Sequence, residues 1–237
     1  MDKGKVFTIK VNKGGIGKTF ITVQIGSGLA LSGKRVLLLT SDSQNNIFDY
    51  TIPYGEIPEF KHGLKKFVAG SEGSKFTLRE NLDFIPLESS KFSNDFIKKV
   101  PAFIDKMKKE YDYIIIDSIP TMQLDSAFVH CSDHIIVPCY CDRVTVDGVL
   151  NVINETGADK VHSIIVNRFR NTATQIEFLD ALINVIKDTD ILFPDPISEQ
   201  AQLEVLLGKG KTIWESRSKG MESVQNSILE IIADINV

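Results

Sequence analysis

Val11-Asn12-Lys13-Gly14-Gly15-Ile16-Gly17-Lys18-Thr19 reads VNKGGIGKT and is close to the sequence of a phosphate-binding loop. Such a loop follows the pattern G-x-x-x-x-G-K-[ST], which Gly17, Lys18 and Thr19 complete here. The glycine that should open the pattern is replaced by Asn12, and a second lysine, Lys13, follows at once. The stretch therefore predicts a phosphate site with a lysine at each end.

Short apolar runs alternate with helical segments on either side of this loop. The runs are KVFTIKV before it, and RVLLLT, LDFIPL, YDYIIID, HIIVPCY and HSIIVNRF after it. Helical composition covers residues 19–31, 94–109, 174–186 and 221–235, whereas residues 52–80 predict loops and a short helix. Near-continuous apolar strands are typical of parallel sheets that are covered on both faces. We therefore predict an α/β fold with a doubly wound, mainly parallel twisted sheet.

Length and composition predict one domain over residues 1–237. The chain is 43% hydrophobic and carries a net charge of -4 at pH 7, so contact with nucleic acid would need a local basic patch. No apolar segment reaches the roughly 20 residues of a membrane span, and the charged start is unlike a secretory signal. We therefore expect a cytoplasmic protein.

The predicted site lies at the carboxyl ends of the strands, where such folds bind ligands. Glycines 14, 15 and 17 allow backbone amides to close around phosphate oxygens. Lys18 would reach the β- and γ-phosphates, and the Thr19 hydroxyl would bind Mg²⁺. Asp117 ends the run YDYIIID and would bring a carboxylate to the metal, unless it only caps a helix.

The string K-G-G-x-G-K-T, with its extra leading lysine, resembles the deviant Walker A motif of the ParA/MinD ATPases, and ParA most of all. RVLLLTSDSQNN resembles a strand of that family and the switch I that follows it, and YDYIIIDSIPT resembles its Walker B motif and switch II. HIIVPCYCDRVTVDGV is similar to a later strand of the family. The motifs come in the family's order along nearly the whole chain. The resemblance implies a P-loop NTPase fold of the deviant Walker A type.

The resemblance also implies a role for the second lysine. In this family it reaches the nucleotide that the partner subunit holds, so Lys13 would act in trans and Lys18 in cis. ATP and Mg²⁺ would then hold a homodimer together, and hydrolysis would release it. The alternative for Lys13 is a solvated loop charge.

Carried over residue by residue, the resemblance places Asp42 in switch I, where it would orient the attacking water and help to hold Mg²⁺. Thr40, Ser43 and Asn45 depart from the family's switch I sequence, which predicts an altered switch and slow hydrolysis. Phe20 stands where relatives have a hydroxyl, which leaves only its backbone amide for the α-phosphate.

The predicted sites are completed by four sets of residues. The catalytic residues are Lys13, Lys18 and Asp42, and the metal ligands are Thr19, Asp42 and Asp117. ATP would contact Lys13, Gly14, Gly15, Ile16, Gly17, Lys18, Thr19, Phe20, Asn167, Pro194 and Asp195, where Asn167 would pair with adenine or else only form a turn. DNA would contact Arg168, Arg170, Lys209, Lys211, Arg217 and Lys219, unless these are ordinary solvated charges.

The predicted function is a ParA-like ATPase for plasmid or chromosome partition. It would bind DNA without sequence preference as an ATP dimer, and a ParB-like DNA-bound partner would stimulate its hydrolysis. The first strand starts too early for an amino-terminal DNA-reading domain, and the last helix lacks the basic residues of a membrane-binding tail, so no membrane partner is expected. A cargo-positioning ATPase and a nucleotide-gated binding module with little hydrolysis stay open as alternatives.

Overall fold

The computed structural model describes residues 3–120 and 123–236. These residues contain a seven-stranded sheet. The strands are β1 Lys5–Ile9, β2 Val36–Thr40, β3 Phe76–Arg79, β4 Leu82–Phe84, β5 Tyr113–Asp117, β6 His134–Cys139 and β7 Val161–Val166. Their order is β3-β4-β2-β5-β1-β6-β7, and every neighbouring pair is parallel except β3 and β4. The predicted doubly wound, mainly parallel fold is therefore confirmed.

Eight α-helices lie within the described residues, of which the first five connect strands and the last three follow β7. They are α1 Lys18–Leu31, α2 Leu64–Val68, α3 Asn94–Met107, α4 Leu124–Cys131, α5 Arg143–Thr156, α6 Ala173–Ile186, α7 Ala201–Leu207 and α8 Glu222–Ile235. The four predicted helices differ from α1, α3, α6 and α8 by one or two residues at an end. The irregular region 52–80 contains the predicted short helix, α2, and also the edge strand β3, which was not predicted.

Alternation along the strands explains why helices cover both faces. In β2, Val36 and Leu38 pack in one core cluster with α1 and α8, whereas Leu37 and Leu39 pack in another with α2, α3 and α4. All four side chains are fully buried. Because side chains on both faces of this strand lie in the core, each of these positions favours an apolar residue, and the sequence is a continuous apolar run.

Three neighbouring strands near the middle of the sheet position the candidate site. β2, β5 and β1 are neighbours, and their register places Asp117 opposite both Thr40 and Ile9. Because parallel strands end at the same edge, the loops after Ile9, Thr40 and Asp117 leave the sheet side by side. The phosphate loop and the two switch segments are thus brought together by topology alone.

A candidate nucleotide-binding site

The phosphate loop turns between β1 and α1 with two glycines in the left-handed region. Gly15 has φ 75° and Gly17 has φ 93°, a conformation that other residues adopt only with strain. A Cβ on Gly17 would also lie 2.3 Å from the Asn167 Nδ2 atom. Gly17 is the N-cap of α1 and makes no side-chain cap, so the first amides of the helix are free to bind an anion.

Lys18 lies inside the loop. It is 6% exposed, and its Nζ donates a hydrogen bond to the Lys13 carbonyl oxygen at 2.6 Å. Burial lowers the pKa of Lys18, while the Asp117 and Asp125 carboxylates act in the opposite direction. The Lys18 ammonium group is therefore held inside the phosphate loop. An anionic ligand bound there would offset the free-energy cost of burying this charge.

Thr19 and Asp117 form the centre of a candidate metal site. The Thr19 hydroxyl donates to Asp117 Oδ2 at 2.6 Å, and the other carboxylate oxygen, Oδ1, is buried without a hydrogen-bond partner among the described residues. Burial raises the pKa of Asp117 to about 6, against the lowering effects of Thr19 and Lys18. An unsatisfied buried carboxylate oxygen beside a hydroxyl suits Mg²⁺, which binds few protein oxygens and completes its shell with phosphates and water.

Switch I (residues 40–46) is ordered by its own side chains. The Asp42 amide donates to the Thr40 hydroxyl at 3.0 Å, and Asp42 Oδ1 accepts a hydrogen bond from the Gln44 amide at 2.9 Å. Asn45 has φ 53°, the left-handed conformation that a glycine adopts easily, and its side chain exchanges hydrogen bonds with the Leu87 backbone. The departures at Thr40 and Asn45 therefore form a defined turn.

Lys13 lies outside the loop interior. Its Nζ is 3.6 Å from Asp142 Oδ2, and the two side chains are 39% and 42% exposed. The two lysines of the motif thus have different surroundings, since Lys18 is buried at the loop and Lys13 is open to solvent.

Asn167 contacts the phosphate loop, whereas the Phe20 side chain packs in the core. The Asn167 amide donates to the Ile16 carbonyl oxygen at 2.9 Å, and its Oδ1 accepts from the Arg168 amide at 2.9 Å. The Phe20 side chain is buried in the core cluster around α1, so its backbone alone could meet a ligand. Adenine pairing by Asn167 stays a prediction, and the structure adds a contact by which this side chain fixes the loop.

Pro194 and Asp195 belong to the loop before α7. Pro194 is buried and Asp195 is exposed, with the Asp195 amide 3.3 Å from Glu230 Oε2 on α8. Their predicted closure over the base stays a prediction.

The six predicted DNA contacts are exposed, but one of them is already paired. Arg170 Nη2 donates to Glu199 Oε1 at 2.9 Å, and Arg170 Nε binds the other carboxylate oxygen. The remaining five, none of which has an ion pair within the described residues, are Arg168, Lys209, Lys211, Arg217 and Lys219.

Several side chains near the site were not predicted. Tyr140 donates its hydroxyl to the Gly15 carbonyl oxygen, and Ser41 accepts a hydrogen bond from the Ile119 amide at 2.8 Å. Lys10 and Asp125 form a buried ion pair at 2.7 Å. The only sequence signal was Lys10 itself, a charge that interrupts the apolar run KVFTIKV.

Comparison with known proteins places the chain in a family. A family model described as an AAA domain matches residues 4–170. The sporulation initiation inhibitor protein Soj of Bacillus subtilis is 29% identical over 98% of this chain and 99% of its own length. The chain therefore belongs to the ParA/MinD family of P-loop ATPases, as its motifs predicted.

Solved structures agree in fold. The complex of a Cyanothece McdA variant with ATP superposes with a TM-score of 0.81 at 16% identity, covering 100% of this chain and 98% of that one. A putative plasmid partition protein of Borrelia burgdorferi bound to AMPPNP gives 0.77 at 21% identity, covering 98% and 100%. Among the described residues of the present chain, no helix has the length and apolar character needed to cross a membrane.

Proposed function

We propose that this chain is an Mg²⁺-dependent ATPase that forms a dimer around ATP and moves DNA during partition. Hydrolysis to ADP and phosphate would be slow, and a ParB-like DNA-bound partner would stimulate it. The ATP dimer would bind DNA without sequence preference and so associate with the nucleoid.

The observation that carries the proposal is the unequal placement of the two motif lysines. Lys18 is buried where the loop closes, as a residue that serves the nucleotide of its own chain should be. Lys13 is on the outside with its side chain 39% exposed, which leaves it available to a second copy. Two facing nucleotides repel each other, so a cation that each chain supplies to the other would favour the dimer.

The chemistry follows from the described contacts. Thr19 and Asp117 would hold Mg²⁺, which neutralises charge on the phosphates, and Asp42 would orient the attacking water from switch I. The water oxygen forms a bond to the γ-phosphorus as the bond to the bridging oxygen breaks. ADP leaves with that bridging oxygen, and the water's proton passes to solvent or phosphate.

The partition role draws support from relatives. The Borrelia burgdorferi structure is described as a putative plasmid partition protein, and its fold matches this chain over nearly its full length. Phosphate release measured with protein alone, with duplex DNA, and with DNA plus its centromere-binding protein would test the proposal. We expect stimulation by both additions, and no ATP hydrolysis under any condition would refute the enzyme.

Positioning of a protein cargo is the second candidate function. Two observations favour it: Arg170 is held by Glu199, and Asp195 and Ser198 stand where similar ParA segments have arginines. Both reduce the positive surface available to phosphates. If ATP drives dimerisation but the dimer fails to retard DNA, this second function replaces the first.

A further inference from the structure

A buried ion pair joins the strand that leads into the phosphate loop to the helix that follows switch II. Lys10 comes directly after β1, and its Nζ lies 2.7 Å from Asp125 Oδ2 in the first turn of α4. The two side chains are only 9% and 8% exposed. The residues are separated by 115 positions in sequence, so the pair is a tertiary connection.

The second carboxylate oxygen of Asp125 is also used. Ser118, which follows Asp117 directly, donates its hydroxyl to Asp125 Oδ1. We call Lys10, Asp125 and Ser118 the Lys10 cluster. A single carboxylate therefore connects the end of β1 with the residue next to the candidate metal ligand.

Switch I also forms hydrogen bonds with the segment 117–119, which contains Ser118. The Ile119 amide donates to the Ser41 hydroxyl at 2.8 Å, and the Ser41 amide donates to the Asp117 carbonyl oxygen at 3.0 Å. Residues 117–119 thus lie between a contact from the end of β2 and a contact from the Lys10 cluster. Their backbone position depends on both.

Stability is a poor explanation for the cluster. Removing two charges from water is costly, and well-packed apolar residues of similar size often stabilise a protein as much as a buried pair does. A buried pair is better suited to fixing one arrangement, because breaking it leaves an uncompensated charge. The cluster lies at the functional edge of the sheet, where a fixed arrangement matters most.

We propose that Lys10 and Asp125 are positioning residues for hydrolysis, which act by fixing Ser118 and the start of switch II relative to the phosphate loop. The inference rests on the proposed ATPase function. Lys10 also lies 3.5 Å from Asn12 Oδ1, at the entrance to the loop. Asp125 raises and Lys10 lowers the pKa of Lys18, so removing both charges together has opposing effects on that lysine. The cluster should therefore affect turnover more than nucleotide affinity.

Paired substitutions separate positioning from stability. Lys10→Met and Asp125→Leu each leave one buried charge without its partner, so each should lower the melting temperature. The double variant removes both charges and should recover most of that loss. Its kcat should nevertheless stay about tenfold or more below the parent, while its Kd for ATP changes less than about threefold.

Two controls accompany these variants. Ser118→Ala keeps the ion pair and removes only the hydroxyl, so it should slow turnover without a large change in melting temperature. Lys108→Met breaks a 2.8 Å ion pair with Asp133 beside the amino ends of the strands, and its kcat should equal that of the parent.

Hydrogen exchange of the nucleotide-free protein supplies a readout that needs no ATPase activity. In the double variant, the amides of Ser118 and Ile119 should exchange at least several-fold faster, whereas amides of α8 should not change. Unchanged protection at both amides, or a stable double variant with parental kcat, would overturn the positioning role. If the amides exchange faster in the double variant but the parent shows no ATP hydrolysis, the proposed ATPase function is wrong. The structural effect of the Lys10 cluster would still stand.

Discussion

Lys13 Nζ lies 3.6 Å from Asp142 Oδ2, so the lysine with a proposed role across the dimer has an acidic neighbour in its own chain. Asp142 also caps α5, because its Oδ1 accepts a hydrogen bond from the Thr145 amide at 2.9 Å. The ion pair competes with any contact that Lys13 makes elsewhere, and an exposed pair of this kind contributes about 0.2 to 1 kcal/mol.

Asp142→Asn should therefore strengthen the ATP-dependent dimer. Asparagine keeps the cap of α5 but removes the charge that attracts Lys13. Each dimer contains two such pairs of up to about 1 kcal/mol each, so we expect the dimer dissociation constant to fall by at most about thirtyfold, measured by analytical ultracentrifugation with ATP. Asp142→Asn should not restore the ATP dimer to Lys13→Ala, and a dimer formed by the double variant would show that Asp142 acts through another group.

Substitution of each of the two motif lysines should have a different effect. Lys18→Ala should abolish nucleotide binding, because it removes the buried ammonium at the loop. Lys13→Ala should leave monomer binding measurable by calorimetry and prevent the dimer seen by light scattering with ATP. Lys187→Ala, at an exposed lysine just beyond α6, is the control and should change neither quantity. If Lys13→Ala still forms the ATP dimer, the trans role is wrong.

Asp117→Asn should stabilise the nucleotide-free protein while removing Mg²⁺-dependent nucleotide binding. The folded pKa of Asp117 is raised to about 6 from 3.8, so the buried carboxylate is unfavourable at pH 7 by up to about 3 kcal/mol. The folded parent takes up a proton more readily than the unfolded chain. Its free energy of unfolding therefore rises as pH falls through 6, and the advantage of the variant shrinks until pH 4.

Denaturant unfolding of both proteins between pH 4 and 8 measures that difference. Asp112→Asn is a control of opposite sign, because the Arg35 guanidinium lowers the pKa of the Asp112 carboxyl. Because the folded pKa of Asp112 lies below 3.8, that variant should be less stable than the parent over the whole range from pH 8 to pH 4, by a difference that stays nearly constant. A stability difference for Asp117→Asn that does not vary with pH would contradict the raised pKa.

The sequence predicted those features of the site that depend on residues close together in the chain. The run YDYIIID predicted that Asp117 ends a buried strand, and glycine spacing predicted the loop, because both depend on neighbouring residues. The pairing of Lys10 with Asp125 could not be predicted, since it depends on how α4 packs at the end of β1. The edge strand β3 was missed because its four residues follow a long irregular segment and pair antiparallel with β4.

Asn167 shows the same limit within the site. Its position after β7 was recognisable, but its hydrogen bond to the Ile16 carbonyl oxygen joins residues 151 positions apart. Only the strand order, which places β6 next to β1 and β7 next to β6, brings them into contact.

Hydrolysis should be slow and should depend on Asp42. Asp42→Ala removes the carboxylate that would orient water, so the variant should accumulate as an ATP-bound dimer on gel filtration. Basal turnover of the parent should lie far below the enzyme median of about 10 per second. Asp180→Ala on α6 is the control and should turn over like the parent. A parental rate near the median would show that the altered switch I does not slow the reaction.

DNA binding should require ATP and the basic residues between α7 and α8. Arg217 and Lys219 are exposed, and dimerisation would double their number on one surface. Phosphate contacts release counterions, so affinity for arbitrary duplex DNA should fall steeply with salt and vary little with sequence. In mobility-shift assays the ATP-bound protein should retard DNA, and the ADP-bound protein should not.

Arg217→Ala combined with Lys219→Ala should weaken that binding and reduce the salt dependence, while ATP-driven dimerisation is unchanged. Lys98→Ala combined with Lys106→Ala removes the same charge from α3, which packs on the opposite face of the sheet from α8, and separates a local patch from net charge. Arg170→Ala should have a smaller effect than the first pair, since Glu199 already neutralises its guanidinium. Equal losses from the two double variants would indicate that net charge, and not the surface around Arg217, governs the contact with DNA.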